Sequence, residues 1–545
     1  MSLRNRFALP FAILSLAFLA ACGSSSSPKG VAPPSGAFSN SNLNGTYVFS
    51  VSGTDVQGAD YSMVGAFTAT GGTGNGSSSI SGGTVDINDE NTSVFTSGPI
   101  PNAAIGSNST FSVGVDGRGK ANLTTQTPFG TIVLDFVLQD SSHGLVTEFD
   151  GSASGSGTLD IQTSGTTPSG AYAFSFTGVD YSTGNPFATV GNFTVSGGAI
   201  QAGGMEDFND GGFAYTGQLL SGTVVAGPSS TPGSTLSTGQ FGALAFDVYP
   251  IDANHLKFIE MDEVATFSGD AYSQSSTSVQ TGTLPFVLEG FISNTSNPTG
   301  AGGFMVTDGS GGIAGTEDVN LAGSVSPSPL TFSANYAAAG TGRYILNNFA
   351  GFTGGTEYVA YPFSGGMFLL EIDNGGLLTG ASYLPQTSTT FAASQGYGLN
   401  FTGINLSGVE VDDVAEFTAS TTSCGSGSGQ ATGNVISGLV DENYAPSGVP
   451  ISSQVVCGNF SAPDSNGRGQ IDTVTTNTTI NGGFLMNYYS VDGTTFPFIE
   501  TDSGQVSAGV MFEQNASGTP VEAKAHAFVV RPLVRANAAR AKQKK

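Results

Sequence analysis

Phe258-Ile259-Glu260-Met261-Asp262 is one of four copies of a single short strand, in which two or three mostly apolar residues lead into Glu-x-Asp. The others read Val146-Thr147-Glu148-Phe149-Asp150, Leu369-Leu370-Glu371-Ile372-Asp373 and Phe498-Ile499-Glu500-Thr501-Asp502. Each Glu is followed fourteen or fifteen residues later by a glutamine: Gln162, Gln274, Gln386 and Gln514. Composition does not hold a spacing this closely four times, so the chain is a tandem repeat.

Working outward, each repeat opens on an alternating aromatic strand. Tyr47-Val48-Phe49-Ser50-Val51-Ser52-Gly53 returns as Tyr172 to Gly178, Leu284 to Gly290 and Tyr397 to Gly403. Large residues on every second position give one face to a core. A second strand is centred on Phe67, Phe193, Phe304 and Phe417. A Gly-x-x-Asp-x-Asn mark comes next, carrying Asp86 and Asn88, Asp207 and Asn209, Asp318 and Asn320, and Asp441 and Asn443. Gly-Arg precedes the Glu-x-Asp strand in repeats one, three and four.

In repeat one, alternating runs between turn signals place about eight strands, near 45–52, 61–70, 78–88, 109–116, 118–126, 131–139, 143–150 and 156–162. No helical periodicity interrupts them, and short connections favour antiparallel neighbours. The expected fold is all-β: four tandem antiparallel modules, each an up-and-down barrel without free edges, with the two-sheet sandwich as the alternative. In size and strand count the modules resemble avidin-like and lipocalin-like barrels, a likeness of architecture alone. The expected divisions are 1–21 signal peptide, 22–41 tether, 42–166, 167–279, 280–391 and 392–516 the four modules, and 517–545 a basic tail. A closed barrel need not stack on its neighbour, so the modules are expected to sit like beads.

Residues 1–22 have the form of a targeting segment: Arg4 and Arg6, then an apolar run from Phe7 to Phe18 too short to span a bilayer. It ends in Leu19-Ala20-Ala21-Cys22, which resembles the lipobox of bacterial lipoproteins. The resemblance implies that Cys22 is the first mature residue and carries lipid, with palmitate among its acyl chains. It thereby implies attachment to the cell envelope, at the outer membrane. Cys424 and Cys457, both in repeat four, are expected to pair in that compartment.

The net charge of −26 is unevenly spread. From Cys22 to Thr519 the basic residues are Lys29, Arg118, Lys120, Lys257, Arg343 and Arg468, whereas seven more crowd the stretch from Lys524 to Lys545. An acidic body argues against nucleic acid as a partner.

Glu and Asp two apart on a strand share a face, and that face is partly apolar, so the carboxylates need partners. Arg118, Arg343 and Arg468 lie 28 to 32 residues before Glu148, Glu371 and Glu500, which makes three Arg-Glu pairs the expectation. Repeat two has Ser230 in place of the Arg, leaving Glu260 to find another donor. The recurring Asp150, Asp262, Asp373 and Asp502, with the Asp, Asn and Gln marks above, read as a network closing the barrel end and fixing strand register. Two other readings stand beside it: calcium sites, since the ligands are hard oxygens, and a small polar ligand within a barrel.

Catalysis has little support. His143 and His255 follow Asp140 and Asp252 in an Asp-x-x-His turn, read as turn residues with solvated imidazoles, and repeats three and four have Gly366 and Thr495 there. The functional reading is a lipid-anchored envelope protein with a non-catalytic binding or structural role and no required cofactor. Its partners are the membrane, through the lipid, and polysaccharide or another envelope component. Alternatives are a calcium-stabilised adhesion rod and an enzyme acting on an envelope or extracellular glycan.

Overall fold

The computed structural model describes residues 32–33, 36–89, 99–125, 130–227, 233–240, 242–292, 297–349, 357–374, 376–421, 423–424, 431–446, 450–473 and 483–517. Cys22, the expected signal segment, Ser230 and the basic tail lie outside them. No α-helix occurs among the described residues.

The first barrel is built from β1 (Gly45–Asp55), β2 (Asp60–Ala69), β3 (Ser78–Asp89), β4 (Ile100–Ile105), β5 (Thr110–Val113), β6 (Arg118–Thr124), β7 (Thr131–Leu138), β8 (His143–Glu148) and β9 (Ala153–Ile161). Eight of these close a circuit in chain order, β1 pairing with both β2 and β9, while β4 lies beside β3 as an extra strand. The second and third modules repeat the plan, and the fourth is an eight-strand closed barrel without an added strand. All pairings are antiparallel, as hairpin connections require. The alternation read from the sequence located the eight circuit strands of repeat one and missed β4, whose short run Ile100-Pro101-Asn102 lacks a period-two signal.

Alternation sets the interiors. Tyr47, Phe49 and Val51 point into barrel 1 with Phe67, Phe111, Phe136 and Val146. Barrel 2 is filled by Phe174, Phe176, Phe193, Phe246 and Phe258, with the Phe174 and Phe176 rings 4.7 Å apart. These rings need room opposite them: a Cβ at Gly191 would come within 2.5 Å of the Phe174 ring, and one at Gly119 within 2.3 Å of Phe136.

The outward faces of the same strands are also buried, and this overturns the picture of separate beads. Val48 and Val64 of barrel 1 pack on Tyr249, Ile259 and Met261 of barrel 2. Ala188 and Val190 of barrel 2 pack on Tyr361 and Phe363 of barrel 3. Val287 and Phe304 of barrel 3 pack on Tyr489 and Ile499 of barrel 4. Val414, Val510 and Phe512 of barrel 4 return to Val137 and Leu145 of barrel 1. Four barrels thus form a closed ring with an apolar seam at every joint. The reason is visible in the strands themselves: Val48 and Val64, on the face turned away from the barrel 1 core, are apolar and demand cover.

Cys424 and Cys457 form a disulfide with their Cα atoms 5.8 Å apart, 33 residues apart in sequence. A loop of that length stabilises the fold by about 3 to 4 kcal/mol in the chain-entropy model. Replacing Cys424 with Ser is therefore expected to lower stability by about that amount in urea denaturation. A loss below about 1 kcal/mol would show that the fold of barrel 4 is indifferent to the bridge.

Candidate functional site

The recurring polar residues converge on the four joints. The Asn of each Gly-x-x-Asp-x-Asn strand reaches out of its own barrel and donates to two backbone carbonyls of the next barrel, one at the end of the Glu-x-Asp strand and one at or just before the start of the strand after it. Asn88 Nδ2 donates to the carbonyls of Glu260 (2.8 Å) and Ala265 (2.6 Å). Asn209 donates to Glu371 (3.0 Å) and Gly376 (2.9 Å), and Asn320 to Glu500 (3.0 Å) and Gln505 (2.8 Å). Asn443 closes the ring on Glu148 (2.6 Å) and Ala153 (2.7 Å). These carbonyls flank a buried turn between two strands, where an unpaired oxygen is costly.

The glutamines make a second tie in the same direction. Gln274 Nε2 donates to Pro362 O (2.8 Å), Gln386 to Ser490 O (2.8 Å), Gln514 to Asp116 O (2.9 Å) and Leu138 O (3.0 Å), and Gln162 to Pro250 O (2.7 Å). This explains the Gly before each Arg. Gly117, Gly342 and Gly467 have φ of +82°, +65° and +90°, and a Cβ on any of them would lie within 2.6 Å of the incoming glutamine Nε2.

The third tie is the aspartate, and it corrects the expected Arg-Glu pairs. Arg343 of barrel 3 grips Asp207 of barrel 2 with Nε to Oδ2 at 2.7 Å and Nη2 to Oδ1 at 2.6 Å, while the Tyr361 hydroxyl donates to Oδ2 at 2.5 Å. Arg468 of barrel 4 holds Asp318 of barrel 3 in the same way, at 2.7 and 2.9 Å, beside Tyr489 at 2.8 Å. Arg118 of barrel 1 donates to Asp441 of barrel 4 at 2.8 Å and to its own Asp116 at 3.2 Å. Strand register shifts at Asp86, Asp207 and Asp441, and there the backbone N–H of Asn102, Gly217 or Ser453, all in the left-handed region, also donates to the carboxylate.

The glutamates take a different route to stability. Burial pushes the Glu371 carboxyl up to about 9, assisted by Asp373, and pushes Glu148, Glu260 and Glu500 well above the carboxylate range. A protonated acid needs no guanidinium. Glu260 nevertheless has donors, Asn88 Nδ2 at 2.8 Å and the Asp262 N–H at 2.7 Å, and Glu500 accepts from Ser507 at 2.6 Å. In three of the motifs the second acid bonds across to the neighbouring strand: Asp150, Asp262 and Asp373 accept backbone N–H groups of Val133, Ala245 and Glu357. Asp502 accepts the N–H of Gly504.

The joint between barrels 1 and 2 is built differently. Lys257, 1% exposed, spans it from Asp270 (3.0 Å) to Asp160 (3.3 Å) and Thr158 (2.6 Å). His143 and His255 pair with the same two acids at 3.0 and 2.8 Å, so neither is the solvated turn residue expected; His255 is buried and stacks on Tyr272. Against burial, Lys257 and the His143 hydrogen bond hold Asp160 well below the carboxylate range. Sequence spacing did not reveal this cluster, because Lys257 recurs in no other repeat.

A small recess lies where barrels 1, 2 and 4 meet, lined by Ser52, Tyr61, Ser62, Thr177, Thr266 and Glu410 among others. Among the described residues no group of three or more His, Cys, Asp or Glu side chains is arranged to hold a metal ion. No helix among them is long and apolar enough to cross a membrane.

No family model matches the sequence, and no curated protein matches it. Solved structures with partial likeness include kievitone hydratase from Nectria haematococca, at 9% identity over 67% of this chain and 95% of that one, with a TM-score of 0.16. Transferrin-binding protein B from Haemophilus parasuis aligns at 9% identity over 73% and 86%, also with a TM-score of 0.16. A protein of unknown function from Nostoc punctiforme aligns at 9% over 43% and 95%, with a TM-score of 0.14. Likenesses at this level carry no argument about function.

Because the Arg343 and Asp207 side chains are 7% and 0% exposed, Asp207→Ala is expected to cost about 3 to 5 kcal/mol, by leaving the guanidinium buried and unpaired. Asn320→Ala, which orphans strand-end carbonyls, is expected to cost about 1 to 3 kcal/mol. Urea denaturation of each variant checks both; losses within about 0.5 kcal/mol of zero would mean that the joints do not hold the ring.

Proposed function

We propose that this chain is a lipid-anchored protein of the bacterial cell envelope, which presents a rigid ring of four barrels in a non-catalytic binding or structural role. The observation that carries the reading is the use of the recurring Asp, Asn and Gln residues. The positions that look most like a repeated active or metal site are occupied by a neighbouring barrel. Asp207 and Asp318 already accept two guanidinium hydrogen bonds and a tyrosine hydroxyl each, which leaves little capacity for calcium. The glutamates of the Glu-x-Asp strands are buried at barrel ends, and the partly exposed aspartates accept backbone N–H groups. The anchor rests on Leu19-Ala20-Ala21-Cys22 and the Ser-rich stretch after it.

A ring with four apolar seams resists shear better than flexibly linked domains, which suits a structural or display role at a cell surface. For binding, the outer surface of the ring is the favoured location, with polysaccharide or another envelope component as the partner, because the recess between barrels 1, 2 and 4 is too small to enclose a sugar.

Two measurements test this. Cells expressing the protein and fed labelled palmitate are expected to label the wild type and not Cys22→Ala, which should leave the membrane fraction; equal labelling of both would remove the anchor. Thermal melting of the purified protein is expected to be unmoved by calcium or chelator. A rise of several degrees with calcium would favour the calcium-stabilised rod, and turnover of a glycan the enzyme.

A further inference from the structure

The four joints provide an internal comparison, since the asparagine and glutamine ties recur at every one of them. At three of them the outward aspartate meets an arginine: Asp207 with Arg343, Asp318 with Arg468, and Asp441 with Arg118. The fourth aspartate, Asp86 of barrel 1, is equally buried at 0% exposure. It receives the Tyr249 hydroxyl at 2.7 Å and the Asn102 N–H, and Asp247, two residues before Tyr249 on the same face of its strand, brings a second carboxyl close to it. Asp247 is itself 1% exposed. The ungapped equivalents of Arg118 and Lys120 in repeat two are Ser230 and Pro232, so the sequence offers no cation at those positions.

Two carboxyls facing one another in a desolvated seam cannot both be ionised without a cation between them. The described basic residues are engaged elsewhere: Lys120 with Asp135, Lys257 with Asp160 and Asp270, and the arginines at their own joints. The remaining titratable neighbours across this seam do not neutralise the pair. Tyr249 is held neutral by burial next to Asp86, and Glu260 is a buried acid hydrogen-bonded to Asn88. His143 and His255 lie in the Lys257 cluster.

We propose that the joint between barrels 1 and 2 is a proton-held latch: Asp86 and Asp247 share one proton while the seam is shut, and its loss loosens this end of the joint while the three arginine joints stay closed. Burial, with Asp247 close by, pushes Asp86 up to about 7. The sign follows from the raised value. The seam binds the proton more tightly than the separated barrels do, so closure is fullest in acid and is lost as pH rises through neutrality. Lys257 ties the two barrels through Asp160, on the strand that borders the far side of the seam from Asp86, so the seam opens on the Asp86 side.

Thiol labelling of the chain carrying Cys22→Ser reads this directly, because the other two cysteines, Cys424 and Cys457, are already bonded to each other. Val64→Cys places a thiol in the seam between barrels 1 and 2, and Val287→Cys places one in the arginine-held seam between barrels 3 and 4. The ratio of their maleimide labelling rates cancels the thiol's own pH dependence. Between about pH 5.5 and about pH 8.5 the ratio is expected to rise roughly tenfold, and Asp247→Asn, which leaves no second charge, is expected to flatten it. Val48→Cys and Asp86→Asn serve as second reporter and second variant where the first does not fold. A ratio that is constant with pH, or a rise that persists in Asp247→Asn, would overturn the proposal.

Discussion

An unpaired strand-end carbonyl buried against another barrel is the constraint around which this molecule is arranged. Asn88, Asn209, Asn320 and Asn443 each relieve it for the barrel that follows, so every joint runs head to tail, a donor surface on one barrel meeting an acceptor surface on the next. A head-to-tail contact repeated without closure would give a spiral. Here the turn at each joint is such that the fourth barrel's donor surface meets the first barrel's acceptor surface, and the Asn443 and Gln514 contacts with barrel 1 complete the circle. Apolar faces that a lone barrel would leave exposed are covered by the same closure.

Burial then governs the acids. The body carries many carboxyls and few cations, and the structure deals with them in two ways. At the joints, Asp207, Asp318 and Asp441 are matched to a guanidinium, and Asp160 and Asp270 to Lys257. Those at the barrel ends are driven toward the neutral form and act as hydrogen-bonded polar groups. The formal charge of −26 therefore overstates the charge that the folded body carries near neutrality.

Much of the architecture was legible in the residues. The alternation of Tyr47, Phe49 and Val51 located the first strand, and turn signals located its circuit partners; a barrel followed from strand count and connection length. The residues at the joints were legible as well, since spacing singled out Asn88, Asp207, Gln514 and their equivalents. Their partners were not. In a tandem repeat, an offset of thirty residues from Arg118 to Glu148 fits the chain as neatly as a contact with the preceding copy's aspartate, because both positions recur with the same period. Sequence spacing cannot say which copy a side chain reaches. The apolar outward faces held the missing information: Val48 and Val64 lie out of phase with Tyr47 and Phe49, and that second stripe marks a strand covered on both sides. The Lys257 cluster, unique to one joint, had no periodic signal to betray it.

One feature of the closing joint changes how the whole chain can be rearranged. The segment entering barrel 1 and the segment leaving barrel 4 touch: Asn42 Nδ2 donates to Ala516 O at 2.8 Å, and a Cβ at Gly36 would rest 3.4 Å from that of Ala516. The polypeptide therefore enters and exits the ring at a single gap, between two barrels that are joined by the same contacts as the covalently linked pairs. The gap is a matter of where the backbone happens to be cut rather than of how the barrels pack. A short peptide could bridge it and the backbone be reopened at any of the other three junctions, giving circularly permuted chains with the same ring. An attachment point fused to the new terminus would then hold the ring by a different barrel, and so turn a different side of it toward whatever lies beyond the surface.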